Sequence, residues 1–333
     1  MKDFSYHKPS TVSEAVALLA ASGENRPLSG GMTLLPTMKM RLAAPTAIVD
    51  LAGLPGLTGI TVGGGSVTIG AMTTHAEVAA SAEIKAAIPG LATLAGLIGD
   101  PQVRHRGTIG GSMANADPSA DYPAAAVGLG ATIVTDRREI AADSFFTAMF
   151  QTALEPDEII LAVRFPIPDA AGYAKFRSQA SRFALVGAFV ARFGGTVRAA
   201  ITGAGPVVFR SGDIEDALAA NFSPDALARI SVAPSGLNSD IHADSEYRAH
   251  LVVVMARRAV ASGRYRAGSY SRVTTRRSAH ARVSRWTRSL KAESRWCWAR
   301  TSRVRSTCSA SGRGRTSSSF SNAAARSGSY LSA

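Results

Sequence analysis

Two short glycine segments carry the residue types in this chain best suited to chemistry: Ser29-Gly30-Gly31-Met32-Thr33 and Thr108-Ile109-Gly110-Gly111-Ser112. Adjacent glycines lack a Cβ, so backbone N–H groups can approach an anion closely. Each segment ends in a hydroxyl that can add a hydrogen bond. Two such cradles far apart in the sequence point to one extended ligand with two linked phosphates, held from two sides. A lone Gly-Gly pair is more often a plain turn. The pairing, and the residues that follow the second segment, shift that balance.

The run from Thr108 to Asp121, TIGGSMANADPSAD, resembles the FAD-binding medium subunit of the molybdenum hydroxylases. That family includes the aerobic carbon monoxide dehydrogenases and the xanthine dehydrogenases. Its members carry an A-G-G-x-S turn near the N-terminus and a T-I-G-G-[SN] turn followed by A-[NH]-x-x-P-x-x-D. The opening Phe4–Pro9, the step Thr74-His75-Ala76 and the run Arg104-His105-Arg106-Gly107 are similar to it as well. The resemblance covers residues 1 to about 262 and then stops.

The resemblance implies an electron-transfer role. A molybdenum centre in a large partner subunit oxidises the substrate. Two [2Fe–2S] clusters in a small partner subunit carry the electrons to FAD in this chain, and FAD passes them to an external acceptor. The protein's share of that chemistry is to bind and tune the cofactor. By the same resemblance, Ser29, Gly30, Gly31, Met32 and Thr33 hold the FAD pyrophosphate from one side. Thr108, Ile109, Gly110, Gly111 and Ser112 hold it from the other, both turns using backbone N–H groups. Asn115 and Asp121 occupy polar family positions, with Asp121 the better candidate to accept from a ribose or ribityl hydroxyl. Ile160 and Leu161 match a hydrophobic position against the isoalloxazine or adenine region, and Arg177 lies near a basic one. The implied assembly is a dimer of heterotrimers, with molybdopterin and iron–sulfur clusters confined to the partner subunits.

Two residues depart from the family pattern. Met32 stands where a polar residue is usual, and Phe183 stands where some relatives carry Tyr near the flavin. Both bear on fine tuning more than on binding.

Blander readings apply elsewhere. His75 is a first-turn helix residue rather than a ligand, and His105 between two arginines is a surface residue. Asp117 and Asp121 flank Pro118, a common turn arrangement. Gly203-Ala204-Gly205-Pro206 lacks the third glycine and following helix of a dinucleotide fingerprint and reads as a turn. No histidine–carboxylate cluster suggests a metal site.

The whole-chain charge of +13 would ordinarily suggest a nucleic-acid or anionic-membrane partner. It is concentrated at one end. Residues 263–333 hold 16 basic residues and one acid, a formal +15, which leaves −2 for residues 1–262. No specific nucleic-acid partner is expected of that body. Both cysteines, Cys297 and Cys308, also lie in the tail. The body can therefore supply no thiolate to a cluster and no cysteinyl link to a flavin, so FAD is expected to be non-covalent. No signal peptide is visible and no apolar run approaches the ~20 residues of a membrane span. Cytoplasmic residence is expected, with attachment to a membrane through partner subunits left open.

The elements that must position these residues follow from caps and periodicity. Thr11 and Glu14, and again Thr74 and Glu77, are spaced as capping boxes. A helix is predicted from the first box to Ser22-Gly23. From the second, a helical stretch breaks at Pro89-Gly90 and resumes to about Gly99. Strands are predicted at 26–29, 46–50, 131–135 and 159–165, with a hairpin at 60–62 and 67–69. Residues 166–172 read as a boundary. Beyond it, 173–177, 183–193 and 197–202 predict an antiparallel sheet, with short helices at 213–220 and 224–230 and a longer one at 242–261. The expected fold class is α+β. A two-part FAD-binding domain of the molybdopterin-dehydrogenase (PCMH-like) type, residues 1–172, precedes a smaller sheet-and-helix domain, residues 173–262.

Three readings compete for the Arg/Ser-rich tail, 263–333. It is a basic nucleic-acid-binding arm, a disordered extension, or an out-of-frame translation of high-GC DNA. The third is favoured, because aliphatic periodicity vanishes and the resembled family ends with a helix like 242–261. An altered C-terminus also leaves room for a degenerate, non-catalytic flavin-fold protein.

Overall fold

The computed structural model describes residues 1–265. The expectations for the tail therefore lie outside the described residues beyond Tyr265.

The chain opens with β1 (Ser5–His7), α1 (Val12–Ala20), β2 (Arg26–Leu28), α2 (Leu34–Lys39) and β3 (Ala47–Asp50). Both β1 and β2 run parallel to β3, in the order β1-β3-β2. The apolar face of α1, Ala15 and Leu19, packs with Val49, Leu51, Leu54 and Leu57 in a small core. Thr11 caps α1 by accepting from Glu14 N at 3.1 Å. Glu14 reaches back to Ser10 N at 2.8 Å rather than to Thr11, so the expected box is displaced by one residue.

Next come the hairpin β4 (Ile60–Gly63) and β5 (Ser66–Gly70), then α3 (His75–Ala80), α4 (Ala82–Ala87), α5 (Pro89–Gly96), α6 (Pro101–Arg104), α7 (Ile109–Asn115) and α8 (Tyr122–Leu129). The helical stretch breaks at Ser81 as well as at Pro89, because the Ser81 side chain caps α4. After β6 (Thr132–Thr135), β7 (Glu139–Ala141), α9 (Ala142–Phe145), β8 (Phe146–Ala148) and β9 (Gln151–Thr152), the long β10 (Ile160–Pro166) returns to the middle of the sheet. Its order is β4-β5-β10-β6-β7, with every pairing antiparallel. Inward residues Val67, Ile69, Ile133, Val163 and Phe165 meet Leu91 and Leu94 of α5 and the wholly buried α8.

Residues 167–169 lead to a second five-stranded antiparallel sheet. It is built from β11 (Ala170–Arg177), β12 (Ala184–Phe193), β13 (Thr196–Thr202), β14 (Phe209–Arg210) and β15 (Arg264–Tyr265), in the order β14-β13-β12-β11-β15. One face carries α10 (Gly212–Ala220), a single 3-10 turn (Pro224–Leu227) and α11 (Ser245–Ser262). Strand alternation divides the work. Val186, Ala188 and Val190 face Leu251, Met255 and Ala259 of α11. Tyr173, Phe189, Ala191 and Ala200 instead join the core around α5 and α8. The two sheets thus share α8 between them.

Candidate functional site

The two glycine segments, 79 positions apart, meet in space. The Ser29 and Thr108 hydroxyls share a hydrogen bond. Ser29 also donates to the Met72 sulfur at 3.1 Å. Below this link the backbones touch without intervening side chains. A Cβ on Gly30 would lie 2.0 Å from Arg106 O and 2.8 Å from Gly107 Cα. A Cβ on Gly110 would lie 2.6 Å from Ala71 Cβ. Both glycines are required by close approach rather than by an unusual backbone conformation.

The segment leaving β5 seats the second turn. Gly110 N donates to Ala71 O at 2.8 Å, Ile109 N to Thr73 O at 3.1 Å and His75 N to Gly107 O at 3.0 Å. Thr108 is extended, caps α7, and accepts from Gly111 N at 3.1 Å. Ser112 N donates to Thr108 O at 3.1 Å. The turn is therefore the first turn of a helix, and its amides are already used. This corrects the expectation that the N–H groups of Ile109, Gly110, Gly111 and Ser112 face the ligand.

The first turn is different. Among the described residues, the amides of Gly30, Gly31, Met32 and Thr33 donate to no protein acceptor. Gly31 has φ +72°, the left-handed value that lets successive amides converge on one side. Met32 and Thr33 are exposed. A phosphate-bearing group would find four unspent donors here, beside the free side chains of Ser112 and Asn115. Those two residues are three apart and share a face of α7.

The other expected site residues lie deeper or farther out. Asp121 is 4% exposed, and its carboxylate accepts from the Tyr173 hydroxyl and from Lys175 Nζ at 3.0 Å. Burial pushes the carboxyl up, against the pull of Lys175 and Tyr173. Each of its oxygens thus already has one protein donor. The backbone of the D-P-x-x-D stretch likewise meets the second sheet, while the Asp117 carboxylate accepts locally from Ser119 N at 2.8 Å. The one Thr202 hydroxyl proton is shared between Pro118 O at 2.9 Å and Ala120 O at 2.6 Å, and Gly203 N donates to Pro118 O at 2.8 Å. The motif clamps the second sheet to the end of α7. Ile160 is buried in the main core, so it does not line the site. Leu161 packs instead in the cluster that contains Met72, and its carbonyl accepts from Ala71 N at 2.9 Å. Arg177 closes β11 as an exposed residue and touches neither glycine turn through a hydrogen bond.

Residues missed by sequence reasoning also support the site. His75 is buried, with its ring 5.3 Å from that of Tyr122. A Cβ on Gly107 would lie 2.6 Å from His75 Nε2, so the imidazole forms the floor of the segment that enters the second turn. Burial, with a smaller contribution from Arg104, lowers the His75 pKa to about 4 and keeps the ring neutral. The spacing of Thr74 and Glu77 marked this helix start, but nothing local signals that the ring packs on Gly107. Phe183 is exposed in the loop between β11 and β12. Gly203 turns with φ +80°, as the reading of that stretch as a turn expects.

Residues 2–168 match the family described as the FAD binding domain in molybdopterin dehydrogenase. The chain belongs to that FAD-binding family. Among curated relatives it is 36% identical to the carbon monoxide dehydrogenase medium chain of Hydrogenophaga pseudoflava, over 77% of this chain and 96% of the relative. It is 38% identical to the corresponding chain of Afipia carboxidovorans, over 79% and 98%. The nicotine 6-hydroxylase medium subunit of Paenarthrobacter nicotinovorans is 34% identical over 77% and 95%. Reconstituted CO dehydrogenase from Oligotropha carboxidovorans superposes with a TM-score of 0.72 at 34% identity, covering 78% of this chain and 97% of that one. The protein is thus an FAD-binding subunit of the molybdenum-hydroxylase type and a component of an oxidoreductase. Under four fifths of its length spans nearly all of each of these relatives. Among the described residues, no helix is long and apolar enough to cross a membrane, and no cluster of ligating side chains could hold a metal.

Proposed function

We propose that this chain binds FAD non-covalently across the joined glycine turns and relays electrons. They would come from [2Fe–2S] clusters of a small partner subunit and pass to an external acceptor, while a large molybdenum-binding partner oxidises the substrate. The observation that carries the reading is the hydroxyl contact of Ser29 with Thr108 beside four unspent amides. FAD, when bound, supplies the ability to take up and release electrons singly or in pairs.

This chain's own residues hold and orient. Gly30 to Thr33 donate to the diphosphate, and Gly30 keeps that loop against Arg106 and Gly107. Thr108, with its hydroxyl tied to Ser29 and Gly111, fixes the distance between the turns. Ser112 and Asn115 offer polar side chains beyond the phosphates. Met72 and Leu161 supply the apolar neighbour, with a sulfur that packs adaptably. Ile109, Gly110 and Gly111 act as the anchor of the cradle. The residues fit the group because every position where the backbone must approach closely is a glycine and the unspent donors are adjacent.

The partners, with a dimer of heterotrimers as the full assembly, are proposed from the medium-chain relatives. The test is the visible spectrum of the full chain co-expressed with the neighbouring large and small subunits, followed by identification of the cofactor released on denaturation. Released FAD at one per chain is the expected result. A folded, colourless chain inside an assembled complex would refute the flavin reading and favour a degenerate flavin-fold protein.

A further inference from the structure

Arg104 and Arg182 converge on one carbonyl. Arg104 Nη1 donates to Gly99 O at 3.3 Å and to Ile98 O at 3.0 Å. Arg182 Nη1, 78 residues later in the chain, donates to the same Gly99 O at 3.4 Å. The two guanidiniums thus meet at a single carbonyl oxygen. Among the described residues, neither arginine forms an ion pair, whereas Arg137, Arg138, Arg164, Arg198, Arg210 and Arg248 all do. The neighbouring carboxylate, Asp100, caps α6 by accepting from Val103 N at 2.9 Å.

The loop that brings Arg182 there is built for the position. Ser178 N donates to Phe183 O at 2.8 Å and Arg182 N to Ser178 O at 3.0 Å, closing the loop between β11 and β12. Arg182 itself has φ +63°, a left-handed conformation that a residue with a Cβ adopts at a cost. Holding two like charges together over one acceptor, in a strained loop and without a counter-ion, leaves unfilled donor capacity on both guanidiniums. A planar guanidinium matches phosphate oxygens in pairs, and two of them can grip one tetrahedral or bridged anion.

We infer that Arg104 and Arg182 form an anion site for a phosphate or diphosphate group, separate from the cradle made by the glycine turns. The pair's own geometry carries the inference. Only its separateness from the cofactor rests on the flavin reading. The phosphate can come from a nucleotide or from the free anion, and the probes distinguish them.

The experiment is calorimetric titration of the full chain with inorganic pyrophosphate and, separately, with ADP, before and after loading with FAD. The expected result is one pyrophosphate per chain in both states. Arg182→Gln weakens it at least tenfold, and Arg104→Lys, which keeps charge but loses the fork, weakens it measurably. Bound FAD and the unfolding midpoint of Arg182→Gln stay unchanged, since Arg182 is exposed. ADP binding tenfold tighter than pyrophosphate assigns the site to a nucleotide, and weaker ADP binding assigns it to the free anion. Absence of pyrophosphate binding, or binding indifferent to Arg182→Gln, overturns the site. Loss of binding on FAD loading shows that the pair belongs to the cofactor's own diphosphate and overturns its separateness. If FAD never loads, the flavin reading fails by itself and the unloaded titration still decides the pair.

Discussion

Gly30→Ala tests the joined cradle most directly. The new Cβ would sit 2.0 Å from Arg106 O, 2.7 Å from Arg106 C and 2.8 Å from Gly107 Cα. All three are backbone atoms, so no side chain can rotate away. Restoring an ordinary contact requires one backbone to retreat by about 1 Å or more. That retreat stretches the Ser29–Thr108 hydroxyl bond and opens the gap that the diphosphate must bridge. Overpacking of this kind costs about 1–3 kcal/mol in stability. Misplacing donors by about 1 Å also costs roughly 100-fold where geometry matters. The assay is FAD retained per chain after gel filtration, with the affinity from quenching of flavin fluorescence, alongside urea unfolding. Gly23→Ala is the control, since a Cβ there meets nothing within 4 Å. The expected result is FAD binding weakened on the order of 100-fold by Gly30→Ala and unchanged by Gly23→Ala. Wild-type FAD affinity in a stable Gly30→Ala protein would show that the contact between the turns does not hold the cofactor.

Three further outcomes are expected. Lys175→Met removes the only cation paired with Asp121 among the described residues, leaving a buried carboxylate uncompensated at a cost of about 3–5 kcal/mol in urea unfolding; Asp121→Asn in the same chain should restore most of it. For His75 the folded pKa is about 4 against an ordinary 6.5, so the unfolded chain binds the extra proton first. The stability this group contributes is full above pH 6.5, falls as pH drops toward 4, and levels off below, a loss of roughly 3 kcal/mol. His75→Gln should flatten that part of the urea midpoint against pH, and an identical profile in the two proteins would refute the assignment. Truncation after Tyr265 should leave FAD affinity within a factor of about two, because every residue of the cradle precedes it; a tenfold loss would give the tail a role in the site.

The longer strands and both capping threonines were legible because those signals are local, whereas the two- and three-residue strands β1, β7, β8, β9, β14 and β15 carry too few residues to show an alternation. The hairpin of β4 and β5 announces itself in Gly64-Gly65 between alternating residues, and α11 shows its apolar face at helical spacing. The helix α8 was invisible for the opposite reason. Tyr122 to Leu129 is apolar all round and buried on every side, so no 3.6-residue period exists to detect. The second glycine turn was legible as a motif but not as the start of α7. The bonds that make it one run to Ala71 and Thr73, which no local pattern connects to it.

The same limit applies to Asp121. A spacing of four between two Asp residues around a proline says that polar groups are needed, not which way they face. Only the arrival of β11 and β13 decides it, bringing Tyr173, Lys175 and Thr202 to that stretch. With Pro118 O, Ala120 O and the Asp121 carboxylate engaged there, the D-P-x-x-D stretch ties the second sheet to the end of α7. The two glycine turns divide their labour in a related way. The second spends its amides on the β5 extension and becomes rigid, while the first keeps its amides free and borrows that rigidity through Ser29 and Gly30. On the proposed reading, a cradle of this design should tolerate substitution at Met32, which would offer its backbone alone, but not at Gly30, where the two halves touch.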